Sequence, residues 1–171
     1  NGSAGGAIYN DHATVTVSNS TFSANTANIG GAVYNSGTIM VSNSTFSGNT
    51  ALEEGGALFN FGTATMNNST FSGNRAESDG GAIYNTENGT LTLERSLLSG
   101  NSAPAGAELY NEPSELENEE FGGTVNSNNY NLFGHGGSAG TSGFTPAGSD
   151  IVPSQPLAQI LNTTLQVNGP S

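Results

Sequence analysis

The sequence predicts an all-β protein, a right-handed parallel β-helix with about 25 residues in each three-strand coil. The first observation behind this prediction is a six-residue phrase, Gly-Gly-Ala-Ile-Tyr-Asn at residues 5–10, which returns with small changes. The copies lie 25 residues apart, at residues 30–35, 55–60 and 80–85, and a degraded copy follows at residues 106–111. A fixed period of this length is typical of stacked repeats, each of which buries its apolar face against its neighbours.

The second observation is a phrase that alternates with the first, Asn-Ser-Thr-Phe-Ser-x-Asn. It occupies residues 19–25, 43–49 and 68–74, and a degraded copy occupies residues 95–101. The third observation is composition: the chain has no Lys, has Arg only at Arg75 and Arg95, and is rich in Gly, Ser, Thr and Asn. Because these four residue types are poor helix formers, the repeat is not helical.

Each element of the coil follows from this pattern. Val15 and Val17 alternate with threonines, which predicts a strand with one buried face. We expect strands at residues 7–10, 14–18 and 21–23, separated by Gly and Asn residues that tolerate tight corners. The coils stack at the strand spacing of about 4.8 Å, and parallel crossovers favour the right-handed sense.

Alignment of the copies predicts four inward columns of apolar side chains, in which like residues stack on like. We expect Val33, Val41 and Phe46 to be buried in one coil. The columns are Ile8, Val33, Leu58, Ile83 and Leu109; Val15, Ile39, Ala64 and Leu91; Val17, Val41, Met66 and Leu93; and Phe22, Phe46, Phe71 and Leu98.

Asparagines also recur in columns, and we predict that their amides are buried and hydrogen-bonded from coil to coil. A side-chain amide carries both a donor and an acceptor, so identical amides at strand spacing can bond above and below. This role is structural. The columns are Asn10, Asn35, Asn60, Asn85 and Asn111; Asn25, Asn49, Asn74 and Asn101; and Asn19, Asn43 and Asn68.

The chain divides into regular coils at residues 1–111, an acidic loop at 112–121, and an irregular last coil with a capping segment at 122–171. The chain opens inside the repeat pattern, so we expect a processed piece of a longer precursor whose export signal has gone. The acidic loop could hold Ca²⁺ through oxygen ligands, although a solvated charge run is the favoured interpretation. No other cofactor or metal is predicted, and His12 and His135 are interpreted as loop residues.

Composition narrows the function classes. The net charge of −12 argues against nucleic-acid partners, and the absence of Cys excludes disulfides and thiolate metal sites. No stretch is long and apolar enough to cross a membrane. A lyase needs a basic residue near an acidic cluster, and a hydrolase needs paired carboxylates in one groove. Neither pattern repeats in an outward column, so we predict that the protein is not an enzyme.

An outward aromatic row is the best candidate for a binding surface, because each member follows an inward residue in its strand. A continuous exposed stripe of this kind usually marks an interface. It could contact another subunit or a glycan, or be covered by the chain's own loop or tail. The row consists of Tyr9, Tyr34, Phe59, Tyr84 and Tyr110.

The pairing of Gly-Gly-Ala-(Ile/Val/Leu) with Phe-x-x-Asn, at residues 5–8 with 22–25 and in the next two copies, resembles the repeats of chlamydial polymorphic outer membrane proteins. The fourth copy has Leu98 in place of Phe. Residues 130–134 and 160–170 resemble the last coil and closing segment of secreted bacterial β-helix proteins with a variable C-terminal anchor. The resemblance implies a β-helix exported to a bacterial cell surface.

We therefore predict a non-enzymatic extracellular structural protein, whose copies build a surface fibre or coat by end-to-end stacking of β-helices. In this prediction the first coil, residues 5–25, contacts the C-terminal segment of the next copy, at about residues 151–170. Two alternatives stay open. One is a surface adhesin or glycan-binding protein that uses the aromatic row on a host surface; the other is a polysaccharide lyase or hydrolase.

Overall fold

The computed structural model describes residues 2–114, 122–128, 130–134 and 140–153. In these residues parallel strands stack as a right-handed solenoid of about four coils, with about 25 residues in each turn. The predicted fold class is therefore confirmed. The predicted capping segment beyond residue 153, most of the acidic loop, and His135 lie outside the described residues.

The first three coils carry the same succession of four short strands, and the fourth coil has the first three of them. In chain order the strands are β1 Ile8–Asn10, β2 Thr14–Ser18, β3 Thr21–Ser23, β4 Thr26–Ala27, β5 Val33–Asn35, β6 Thr38–Ser42, β7 Thr45–Ser47, β8 Thr50–Ala51, β9 Leu58–Asn60, β10 Thr63–Asn67, β11 Thr70–Ser72, β12 Arg75–Ala76, β13 Ile83–Asn85, β14 Thr90–Glu94, β15 Leu97–Ser99, β16 Leu109–Asn111, β17 Thr124–Asn128, β18 Leu132–Gly134 and β19 Thr141–Ser142.

The strands form four parallel sheets along the solenoid. Their orders are β1-β5-β9-β13-β16-β19, β17-β14-β10-β6-β2, β18-β15-β11-β7-β3 and β12-β8-β4. The fourth sheet corrects the prediction of three strands in each coil. Its strands contain only two residues, Thr26–Ala27 in the first coil, which is too short for the alternation that reveals a strand in sequence.

The apolar columns lie in register at the centre of the solenoid. Phe22 pairs with Phe46, and Phe46 with Phe71, with ring centroids 4.7 Å apart in both pairs. The predicted burial is confirmed, since Val33, Val41 and Phe46 are only 1%, 2% and 1% exposed. Side chains one residue away on each strand face outward, and these form the surfaces of the molecule.

The two glycines of the Gly-Gly-Ala phrase serve different needs. Gly30 has a φ of 61°, and a Cβ there would lie 2.3 Å from the carbonyl oxygen of Val33. Gly31 has no such φ, but its Cβ would lie 2.2 Å from the carbonyl oxygen of Gly56 in the next coil. The first glycine therefore makes the corner, and the second allows the coils to approach.

The prediction that the third asparagine column is buried is wrong. Asn19, Asn43 and Asn68 are exposed and have φ values of 49°, 50° and 48°. Asparagine adopts this left-handed conformation more readily than most residues, so the column marks a corner of the coil. Arg95 takes the same corner in the fourth copy, with a φ of 48°.

Beyond the regular coils, the chain adds one irregular layer to three of the sheets. β17 pairs with β14, β18 pairs with β15, and β19 pairs with β16. Phe133 continues the phenylalanine column above Leu98 and is fully buried. The boundaries proposed for the three segments of the chain stay a prediction.

Candidate functional site

The first asparagine ladder is a column of buried amides hydrogen-bonded from coil to coil. The Nδ2 of Asn10 donates to the Oδ1 of Asn35 at 2.7 Å, and Asn35 donates in the same way to Asn60 at 2.8 Å. The same bond is repeated from Asn60 to Asn85 at 2.7 Å and from Asn85 to Asn111 at 2.8 Å. Each interior Oδ1 therefore accepts from the coil before it, which gives the ladder a direction.

The second asparagine ladder runs in the same direction and uses the backbone as well. Both the main-chain N–H and the Nδ2 of Asn49 donate to the Oδ1 of Asn74, at 3.0 Å and 2.9 Å. Asn25 donates in this way to Asn49, and Asn74 to Asn101. These amides satisfy main-chain donors at a corner that would otherwise be buried without partners.

Sequence reasoning missed a third column, the serine ladder. The main-chain N–H of Ser44 donates to the Oγ of Ser69 at 3.3 Å, and that of Ser69 donates to Ser96 at 3.2 Å. Ser44, Ser69 and Ser96 are 2–3% exposed. The signal was present in the sequence, because a serine follows the corner residue in every copy of the second phrase, Ser20 included.

All three ladders end within the chain at the C-terminal side of the solenoid. Asn111 donates through Nδ2 to the carbonyl oxygen of Gly143 at 3.1 Å. Ser96 donates through its main-chain N–H to the Oδ1 of Asn131 at 2.9 Å. Asn101 donates to the carboxyl group of Glu108, which ends the second asparagine ladder. The donors that point out of the last regular coil are thus used by the chain itself.

Glu108 is a buried carboxyl group in a position that holds alanine in the other copies of the first phrase. It is fully buried, and its Oε1 accepts from the main-chain N–H of Gly100 at 3.0 Å. Burial raises the pKa of Glu108 to about 7, although hydrogen bonds from Asn101 and Gly100 act in the opposite direction. The group therefore titrates near neutral pH.

The N-terminal side of the solenoid differs from the C-terminal side. We define the N-terminal face as the outer edges of β1, β2, β3 and β4, each of which stands at the end of its sheet. The Oδ1 of Asn10 is buried there and has no hydrogen-bond donor. Asn10 itself is 2% exposed. The position of its Oδ1 is the one that a preceding amide fills at every other level of this ladder.

Apolar side chains are also incompletely covered at the N-terminal face. Ile8, Val15 and Phe22 are half-buried, whereas their partners in the second coil are fully buried. The partners are Val33, Ile39 and Phe46. Further packing on this face would therefore bury apolar area that the chain leaves in contact with water.

The predicted aromatic row forms a continuous stack along the outside of the first sheet, which we call the aromatic stack. Neighbouring rings lie 4.9, 5.5, 5.2 and 5.1 Å apart from Tyr9 to Tyr110, with interplanar angles of 2–13°. Because each interior ring is covered on both faces by its neighbours, the stack presents ring edges to a ligand. Tyr9, which is 58% exposed, has an outer ring face at the N-terminal end.

Acidic side chains flank the middle of the aromatic stack. Burial raises the pKa of Tyr84, and the nearby Glu54 and a hydrogen bond with Glu112 add to this effect. Burial also raises the pKa of Glu54, as do the carboxylates of Glu112 and Asp79. Glu54 and Asp79 are 25 residues apart in the sequence, which indicates that they share a column.

The other candidates for chemistry lie apart from each other. Arg75 contacts Glu77 at 3.0 Å, whereas Arg95 contacts Asn67 and Glu94 at another corner. His12 lies beside Asp11 in the first coil. Across the described ranges no three acidic or histidine side chains are close enough to hold a metal ion together. Of the acidic loop, only residues 112–114 are described, and the main-chain N–H of Glu87 donates to Glu112 there.

Comparison with known proteins supports the architecture. Searches among curated proteins and among solved structures gave no match. Within the described residues, no helix is long and apolar enough to span a lipid bilayer. The family described as the right handed beta helix region matches residues 1–121, which is more than two thirds of the chain. The in-register strands, the apolar columns and this match together place the chain in the right-handed β-helix family.

Proposed function

We propose that this protein is a non-enzymatic structural element of a bacterial surface, and that its copies associate end to end by stacking of their β-helices. The uniform, in-register columns carry the proposal, because like side chains stack on like at each step from coil to coil. Coils of two copies can stack in the same way as neighbouring coils stack within one copy.

The backbone of the solenoid supports the same proposal. An edge strand presents a row of N–H and C=O groups that template pairing with another chain. The strands lie in four parallel sheets, so end-to-end stacking would extend all four sheets together. Export to the surface of a bacterium rests on the resemblance to chlamydial and anchored β-helix proteins, and a fibre or coat is the assembly proposed for that location.

A glycan-binding or adhesive role is the second candidate. The exposed outer face of the Tyr9 ring favours it, because sugar rings pack against open aromatic faces. The covered ring faces of Tyr34, Phe59 and Tyr84 favour it less. A glycan that bound the aromatic stack would therefore bind at the end of the stack, close to the N-terminal face.

Sedimentation velocity of the full chain over a range of concentrations tests the proposed association. We expect species larger than the monomer in the wild type, and loss of these species in Val15→Lys, which places a charge at the inward edge of β2. Thr16→Lys is the matched control, because it adds the same charge to the outward side of the same strand.

Circular dichroism must establish that both variants keep the wild-type β-sheet signal. Tyr9→Ala probes the same face with less risk to folding, since the ring is exposed, and we expect it to weaken association. A wild-type chain that remains monomeric at the highest attainable concentration, or equal association in both lysine variants, would contradict the proposal.

A further inference from the structure

We propose that the outward side chains of one sheet, the sheet of β2, β6, β10, β14 and β17, form a surface that binds ice. We call these side chains the threonine array. The inference goes beyond the proposed function, because the array lies on the side of the solenoid and involves neither of its ends. The array has two columns, Thr14, Thr38, Thr63, Thr90 and Thr124, and Thr16, Met40, Thr65, Thr92 and Asn126.

The threonine array repeats regularly in two directions. Its members lie in register on neighbouring parallel strands, and the stacked rings of Phe22, Phe46 and Phe71 set the distance between coils at 4.7 Å. Along a strand the two columns are two residues apart, which is about 6.6 Å. The outward rings of successive coils are inclined to each other by only 2–13°, so each coil is nearly a translation of the one before. The array is therefore close to a flat rectangular lattice.

Ice presents a lattice of the same kind. The water oxygens on its prism faces repeat in two perpendicular directions, at distances comparable with those between the strands and between the two columns. A threonine hydroxyl both donates and accepts hydrogen bonds, so it can take the place of a lattice water, while the methyl group fills the gaps between waters. Because the branched Cβ restricts χ1, threonine also loses little rotamer freedom on binding.

The chemistry of the threonine array favours ice over other partners. Its members are exposed or half-buried, and none of them is charged. In the described part of the chain their hydroxyl groups make no hydrogen bond to protein atoms, so these groups are free to bond to water. A charged partner would find no opposite charge here, and a glycan would find no aromatic ring face.

The outward column on the adjacent sheet provides a comparison within the same molecule. It begins with Thr21, Thr45 and Thr70, but Leu97 and Leu132 occupy the next two levels. Its hydroxyl groups therefore repeat over three coils, whereas the first column of the threonine array is threonine at all five levels. This difference makes the adjacent sheet a suitable control surface.

Met40 interrupts the second column of the threonine array. It is 43% exposed, and it pairs with Thr16 on one side and Thr65 on the other. Its long side chain stands above the hydroxyl groups and holds an ice surface away from them. Met40→Thr should therefore strengthen ice binding, which is a gain that partial unfolding of a variant cannot imitate.

Thermal hysteresis, the gap between the melting and freezing temperatures of an ice crystal in the protein solution, measures the binding. We expect hysteresis from the full wild-type chain, and enrichment of the protein in slowly grown ice. Thr65→Lys should remove most of both effects, because a lysine there projects above the array. Thr70→Lys is the matched control, since Thr70 is also a half-buried outward threonine of the third coil and lies on β11 of the adjacent sheet. We expect it to keep the wild-type hysteresis.

Circular dichroism and sedimentation velocity of each variant separate a loss of ice binding from unfolding and from a loss of association. Met40→Thr should show a larger hysteresis than the wild type at equal protein concentration. A wild type with neither hysteresis nor enrichment in ice, equal losses in the two lysine variants, or a smaller hysteresis in Met40→Thr would each overturn the inference. These outcomes would leave the proposed association intact, because sedimentation tests it separately.

Discussion

Asparagine fills two different roles at the level of single residues, and only one of them is a buried ladder. Asn35 is fully buried and bonds to the coils on both sides, whereas Asn43 is exposed and turns a corner with a φ of 50°. The sequence repeats both at the same period, so periodicity alone does not separate them. The arginine at position 95 separates the two roles, because an arginine in the corner column is incompatible with a buried amide ladder.

Asn35→Ala tests the first asparagine ladder at an interior position. The change removes the acceptor of the Asn10 amide and the donor to the buried Oδ1 of Asn60. We expect a loss of about 1–3 kcal/mol in the free energy of unfolding. A loss of this size lowers the midpoint of thermal unfolding by several degrees in a chain of this length.

Asn28→Ala is the control, because Asn28 is only half-buried and its amide reaches Glu53 at 3.4 Å. We expect this variant to change stability by less than about 0.5 kcal/mol. Equal thermal midpoints for the two variants would show that the ladder amides do not stabilise the fold.

At the level of the coil, the sequence was informative wherever a pattern was longer than the strand it described. Val15 and Val17 alternate with threonines and repeat, so both the strand and its register could be predicted. The strand Thr26–Ala27 could not, because two residues show no alternation. The serine ladder was overlooked because serine is usually a surface residue, and only a register of main-chain donors shows its role.

Glu108 was the least predictable part of the fold. It stands in a degraded copy of the first phrase, where an acid suggests that the coil has ended and the chain has reached solvent. The structure instead buries the carboxyl group against Asn101 and Gly100, where it completes the second asparagine ladder. No periodic position provided an asparagine for this level, so the partner came from a neighbouring column.

Glu108→Gln tests the coil that this carboxyl group completes. Its pKa is about 7 in the folded chain and has a reference value of 4.5, so the folded state binds more protons between these values. The stabilisation of the fold that results from the raised pKa of Glu108 is fully present below pH 4.5 and is lost as the pH rises through 7. The loss should be on the order of 3 kcal/mol at most.

The test compares the free energy of unfolding of the two proteins from pH 4 to 8, measured by denaturant titration. We expect the wild type to lose stability relative to Glu108→Gln across this window. Glu87→Gln removes an exposed carboxyl group and should leave the wild-type pH profile in place. Parallel curves for the wild type and Glu108→Gln would mean that Glu108 does not titrate in the window.

At the level of the whole molecule, three hydrogen-bonded ladders run through the described coils. Their last members donate to Gly143, Glu108 and Asn131. The repeats could predict the asparagine ladders, but not which residues accept their last hydrogen bonds. That depends on residues outside the periodic positions, and on hydrogen bonds between segments that are distant in sequence.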